Sequence, residues 1–78
     1  MSHKQAILAE LYTRPLHTTD ILINLHHKGV SVGANSLTRR LRELQEERLI
    51  VGVLDPLHNE KLWGILKVEK NGQELFNL

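Results

Sequence analysis

Between Ser36 and Ile50 the chain reads Ser-Leu-Thr-Arg-Arg-Leu-Arg-Glu-Leu-Gln-Glu-Glu-Arg-Leu-Ile. Leu37, Leu41 and Leu44 recur at helical spacing and form one apolar stripe, which continues to the long, snorkelling side chain of Arg48. Four of the five arginines (Arg39, Arg40, Arg42 and Arg48) lie on this one segment. Directly after it, Leu49-Ile50-Val51 changes the pattern from helix to strand. A helix that is apolar inside, basic outside and joined without a linker to a strand points to a mixed α+β fold.

The chain has 78 residues, the size of a single domain spanning 1–78, and 41% of them are hydrophobic. It holds no cysteine, so disulfides and thiolate metal sites are excluded. No apolar run approaches the roughly 20 residues that span a bilayer. Met1-Ser2-His3-Lys4 lacks the apolar core of a signal peptide. The expectation is a soluble, cytoplasmic protein without a membrane partner. Ten basic and nine acidic residues leave a net charge of +1, so a polyanion partner must be argued from where the charges lie.

Lys4 to Tyr12 carries Ile7, Leu8, Leu11 and Tyr12 at the spacing of a first helix with one buried face. Arg14-Pro15 ends it, because the residue before proline avoids the helical region. Thr18 or Thr19 is the expected N-cap of a second helix, with Asp20 in its first turn. Lys28-Gly29 closes that helix with a left-handed cap. Gly33 or Asn35 begins the third helix, which runs to about Arg48. Leu49 to Leu54 and Lys61 to Val68 then read as strands, joined by a loop at Asp55-Pro56-Leu57-His58-Asn59-Glu60. The final stretch carries two signals. Asn71-Gly72 favours a hairpin, whereas Glu74, Leu75 and Phe76 also suit a helical turn. Three helices followed by a hairpin is a helix-turn-helix with a wing attached.

The residues Val32-Gly33-Ala34-Asn35-Ser36-Leu37-Thr38-Arg39-Arg40-Leu41-Arg42-Glu43-Leu44 and Leu49-Ile50 resemble the winged helix-turn-helix superfamily. The likeness is to small bacterial and phage regulators of the MarR and PadR type, and it covers nearly the whole chain. Arg48 stands where that family usually has glycine before Leu-Ile. Val68-Glu69-Lys70-Asn71-Gly72-Gln73-Glu74-Leu75-Phe76 is similar to the family's segment that opens a helix after the wing, with Glu69 in place of a capping threonine. On that resemblance the C-terminal segment is expected to be a short helix, with a strand as the alternative.

The resemblance implies double-stranded DNA as partner, with the third helix in the major groove and its N-terminal half on base edges. At about 100° per residue, Asn35, Arg39 and Arg42 fall opposite the leucine stripe, flanked by Ser36 and Thr38. Arginine forks onto guanine, asparagine pairs with adenine, and hydroxyls serve bases or phosphates. Glu43, Glu46 and Glu47 would repel phosphates and confine contact to the first two turns. In the wing, His58, Asn59 and Lys61 are the candidates for phosphate or minor-groove contact. Thr18 and the second helix's N-terminus offer a further phosphate position. Binding as a homodimer would double the phosphate contacts of so small a module.

Other readings compete. Arg39–Glu43 and Arg42–Glu46 have the spacing of solvated i,i+4 pairs, which would make the basic face merely structural. Near-neutral charge favours a protein-interaction adaptor with the same fold. The five histidines show no metal-ligand spacing. His26 and His27 diverge on one helix, while His17 and His58 are far apart in sequence. No cofactor is implied. No nucleophile with a paired base and no glycine-rich phosphate loop argues for an enzyme. Ile23 is either buried or exposed toward a second protomer, and Trp63 is expected to anchor the hairpin in the core.

Overall fold

The computed structural model describes residues 2–68 and 74–76. Its elements run α1 (His3–Thr13), β1 (Leu16–His17), α2 (Thr18–His27), α3 (Ala34–Glu46), β2 (Ile50–Asp55), β3 (Glu60–Val68) and β4 (Glu74–Phe76). The arrangement is α+β and winged-helix-like. Three helices precede an antiparallel β2–β3 hairpin, and the short β1 joins β3 on its other side to give the order β1-β3-β2.

Helix α1 begins with a reciprocal capping box: the Gln5 backbone N–H donates to Ser2 Oγ, and the Ser2 N–H donates to Gln5 Oε1, both at 3.2 Å. Its buried face is Ala6, Ile7, Glu10 and Leu11. Tyr12, expected on that face, is instead 71% exposed. The face is rotated because Glu10 turns inward, where Lys28 at the end of α2 neutralises its carboxylate.

Helix α2 is capped differently from the expectation. Its N-cap is His17, with no side-chain cap bond, and Thr18 and Thr19 are already helical. Both hydroxyls are committed elsewhere. Thr18 Oγ1 accepts from the Trp63 indole at 2.8 Å, and Thr19 Oγ1 donates to Glu60 at 2.9 Å. The helix closes as its Lys28-Gly29 signal predicts. Gly29 sits at φ +81°, and the N–H groups of Gly29 and Val30 donate to the carbonyls of His26 and Leu25.

Helix α3 starts from Gly33 and docks through Leu37, Leu41 and Leu44, all essentially inaccessible. It ends by the same double bond pattern, Arg48 N–H to Gln45 O and Leu49 N–H to Leu44 O, with Arg48 at φ 61°. Arg48 therefore lies beyond the helix as its left-handed terminator and does not extend the leucine stripe. The three leucines join Ile7, Leu11, Ile21, Leu25, Ile50 and Trp63 in one core.

Strand β2 pairs with β3 from Ile50↔Ile65 to Asp55↔Glu60. The connecting turn is chemically determined. Pro56 occupies the second position of a turn closed by His58 N–H to Asp55 O at 3.2 Å, and Asn59 takes the left-handed conformation at φ 53°. β3 is longer than β2 and continues past Ile65 to Val68; the Leu66 N–H still donates to Leu49 O at 3.1 Å, and Lys67 and Val68 run beyond β2. β4 pairs there, Leu66↔Phe76 to Val68↔Glu74. The expected C-terminal helix is thus a strand over Glu74–Phe76, because an open edge offers these residues ready backbone partners. Asn71-Gly72 lies outside the described residues.

Candidate nucleic-acid interface

With its leucines inward, α3 exposes Asn35, Ser36, Thr38, Arg39 and Arg42 together, as the angular count predicts. The surface then divides into two flanks that do different work.

The flank toward α1 is an ion-pair network. Lys4 lies 2.5 Å from Glu47 and 3.7 Å from Glu43, and Arg40 donates to Glu43 at 3.0 Å. The Arg40 hydrogen bond, reinforced by the charge of Lys4, holds the Glu43 carboxyl below its ordinary range, against a smaller opposing effect of desolvation. The hydrogen bond to Glu47 raises Lys4. Two of the acids expected to repel phosphate are therefore already neutralised by cations at the start of α1 and on α3 itself.

The opposite flank forms a cleft of about 180 Å³ between α3, the start of α2 and β3, lined by Thr18, Thr38, Arg42, Gln45, Lys61 and Trp63. Four of the expected contact residues, Thr18, Thr38, Arg42 and Lys61, meet here. Two side chains that the sequence reading did not select complete it. Gln45 was detectable, since Thr38, Arg42 and Gln45 stand at i, i+4 and i+7 on one stripe. Trp63 is in the core, as its sequence position predicts, and also in the cleft: it is 5% exposed, yet its ring forms the cleft wall, with Lys61 Nζ 5.4 Å from the ring centroid. Thr38 Oγ1 donates to Ala34 O at 3.0 Å, which spends its proton on the helix and leaves the oxygen its acceptor role.

Among the described residues, Arg39 and Arg42 make no ion pair or hydrogen bond. The expected Arg39–Glu43 pair does not form, because Glu43 is drawn to Arg40 and Lys4 on the other flank, and Arg42 and Glu46 do not pair either. Both guanidiniums stay exposed with all their donors available.

The wing residues are arranged less simply. Asn59 and Lys61 are exposed. His58 is bound back onto its own turn, its Nδ1 2.8 Å from Asp55 Oδ2. The same carboxylate oxygen meets His17 Nε2 at 2.8 Å, and the two imidazole rings lie 4.4 Å apart. His17 and His58, remote in sequence, are thus neighbours: the β1–β3 pairing brings the start of α2 beside the turn of the wing. The two imidazole hydrogen bonds depress the Asp55 carboxyl to about 2, and Asp55, with a lesser contribution from Asp20, raises His17. At the N-terminus of α2, a position expected to hold phosphate, the Glu60 carboxylate accepts from both the N–H and the hydroxyl of Thr19, at 3.3 and 2.9 Å.

No helix among the described residues is long and apolar enough to cross a membrane. Comparison with protein-family models, with curated proteins and with solved structures finds no match to this chain.

Proposed function

We propose that this protein binds double-stranded DNA sequence-specifically, with the N-terminal half of α3 in the major groove and the wing over the adjacent backbone, as a small transcriptional regulator. The observation that carries the reading is the pair of uncommitted guanidiniums, Arg39 and Arg42, on the outer face of a helix where two of the three nearby acids, Glu43 and Glu47, are neutralised from the other side. A solvated structural face would spend its arginines on Glu43 and Glu46. This one keeps them available to fork onto guanine or phosphate. Thr38, Gln45 and Lys61 extend the same donor and acceptor surface into the cleft beside the wing. Asn35 and Ser36, in the first turn of α3, stand where a helix entering the groove first meets base edges.

Selection of bound sequences from a random duplex pool tests this reading. The expected result is a short enriched motif, and Arg39→Ala should weaken binding to it by about 1–3 kcal/mol while relaxing the preference at one position. Recovery of no preferred sequence by a protein that does retain duplex would reduce the function to non-specific binding.

A second reading, a protein-interaction adaptor, is favoured by the hairpin itself. Val53, Leu54 and Leu57 are all exposed near its tip, Leu57 at 90%, where a wing on DNA would carry polar or basic residues. An adaptor would retain no duplex at low salt.

A further inference from the structure

His17, Asp55 and His58 come from three different places in the chain: β1, the last residue of β2, and the turn that follows. Their nearest donor atoms, one per residue, all lie within 4.8 Å of one another. Both imidazoles address the same carboxylate oxygen, Asp55 Oδ2, at 2.8 Å.

The groups around them are those a metal site requires. Asp55 Oδ1 accepts the Leu57 backbone N–H at 3.0 Å, which orients the carboxylate and leaves Oδ2 for the imidazoles. On the far side of His17, Nδ1 faces Asp20 Oδ2 at 3.5 Å. With Nε2 on a metal, Nδ1 keeps the proton and donates it to Asp20, the carboxylate–histidine arrangement that fixes tautomer and ring direction. The Pro56 turn folds His58 back over Asp55 and leaves its side chain 60% exposed, so a water can complete the coordination.

We propose that His17 Nε2, Asp55 Oδ2 and His58 Nδ1 bind one divalent transition-metal ion, with Zn2+ the best match to this donor set, and that the ion pins the wing turn to the β1–α2 junction. Two imidazoles and a carboxylate are borderline nitrogen and oxygen ligands, which suit Zn2+ in tetrahedral geometry. Metal–ligand bonds of about 2.0–2.2 Å place tetrahedral donors roughly 3.3 Å apart. The present 2.8 Å separations reach that value by opening about half an ångström, through the exposed His58 side chain on one side and a small rotation of the partly exposed Asp55 carboxylate away from His17 on the other. The hydrogen bonds to Asp55 hold the three ligands together until the ion replaces them. The assignment does not depend on DNA binding.

The test is titration of the chelator-treated full chain with Zn2+ by calorimetry, with Co2+ as a visible-absorption probe of geometry. The expected result is one ion per chain, a tetrahedral Co2+ spectrum that Zn2+ abolishes, and at least 10-fold weaker binding in His58→Ala and in Asp55→Asn. His58 is on an exposed turn, so His58→Ala leaves the fold in place and its thermal transition checks this. Asp20→Asn should weaken binding by roughly 10-fold without changing the stoichiometry. A His26→Ala/His27→Ala variant should bind as the unmodified chain does. No saturable binding at millimolar Zn2+, undiminished binding in His58→Ala, or binding lost only in the His26→Ala/His27→Ala variant would overturn the proposal.

Discussion

Trp63 stands opposite Gly52 in the β2–β3 ladder, and its indole covers that glycine: a Cβ on residue 52 would lie 2.7 Å from Cζ3 and 2.8 Å from Cε3 of the ring. The glycine is what lets the ring lie flat, bury its apolar surface and still direct Nε1 to Thr18. Gly52→Ala should therefore destabilise the domain by about 1–3 kcal/mol through overpacking, even though alanine is the better strand former. Each kcal/mol should lower the melting temperature of a domain this size by roughly 4–8 °C in a thermal scan. An unchanged melting temperature would show that the ring does not occupy this position.

Thr18 is the other end of the same arrangement. It was expected to cap α2 and instead accepts the indole N–H at 2.8 Å. Thr18→Val keeps the shape, removes the acceptor and strands a buried donor, at a cost of about 1–3 kcal/mol in chemical denaturation. Thr18→Ser should retain most of the stability. Equal losses in both variants would point to the methyl group and away from the hydrogen bond.

Glu10 is 5% exposed and is compensated by Lys28, whose own side chain is 63% exposed. Lys28→Ala should cost about 1–2 kcal/mol, less than for a fully buried pair because water reaches the ammonium. Adding Glu10→Gln to Lys28→Ala should recover part of that loss, since a neutral amide at position 10 does not require a cation. Denaturation of the double variant measures this coupling.

The Lys4–Glu43–Glu47–Arg40 network makes a pH prediction. Glu43 is lowered from its ordinary 4.5, so its contribution to stability is present above that value and is lost as the pH falls through the lower folded-state value. Lys4 is raised from 10.5, so its contribution is present below 10.5 and is lost as the pH rises through the higher folded-state value. Between those limits the α1–α3 tie is intact. NMR titration should find the Glu43 carboxyl below the ordinary range, and Arg40→Ala should return it toward 4.5. High salt should shrink the difference, because the network is solvent-exposed.

Much of the fold could be read in the sequence because its elements are marked by strong local chemistry. The leucine stripe placed α3, Lys28-Gly29 placed the end of α2, and the Asp55-Pro56 turn placed the wing. What escaped depends on contacts between distant segments. Tyr12 and Glu10 exchanged inner and outer positions because Lys28, eighteen residues from Glu10, compensates a buried carboxylate. The threonine cap was lost to Trp63 and Glu60 on another strand, and the C-terminal helix was lost to an open edge of β3. The candidate interface was half legible. The angular count separated Arg39 and Arg42 from the leucines. It did not show which acids pair with which cations, nor that Trp63 and Gln45 share a cleft with Thr18, Thr38, Arg42 and Lys61. The meeting of His17 with His58 was hidden by forty residues of intervening chain and follows only from the β1–β3 pairing.

Engagement of duplex DNA by α3 and the wing, as proposed, rests on the exposed Arg39, Arg42 and Lys61. Fluorescence anisotropy with a labelled duplex, titrated across salt concentrations, tests it most directly. Binding should be measurable at low salt and fall linearly in log–log form as salt rises. Lys61→Ala should reduce the steepness of that line by about one, as expected for a single lost phosphate contact. Arg42→Ala should weaken binding, and Arg40→Ala, which removes one of the two cations beside Glu43, should weaken it less. Absence of duplex binding at low salt, or equal losses in Arg40→Ala and Arg42→Ala, would contradict it.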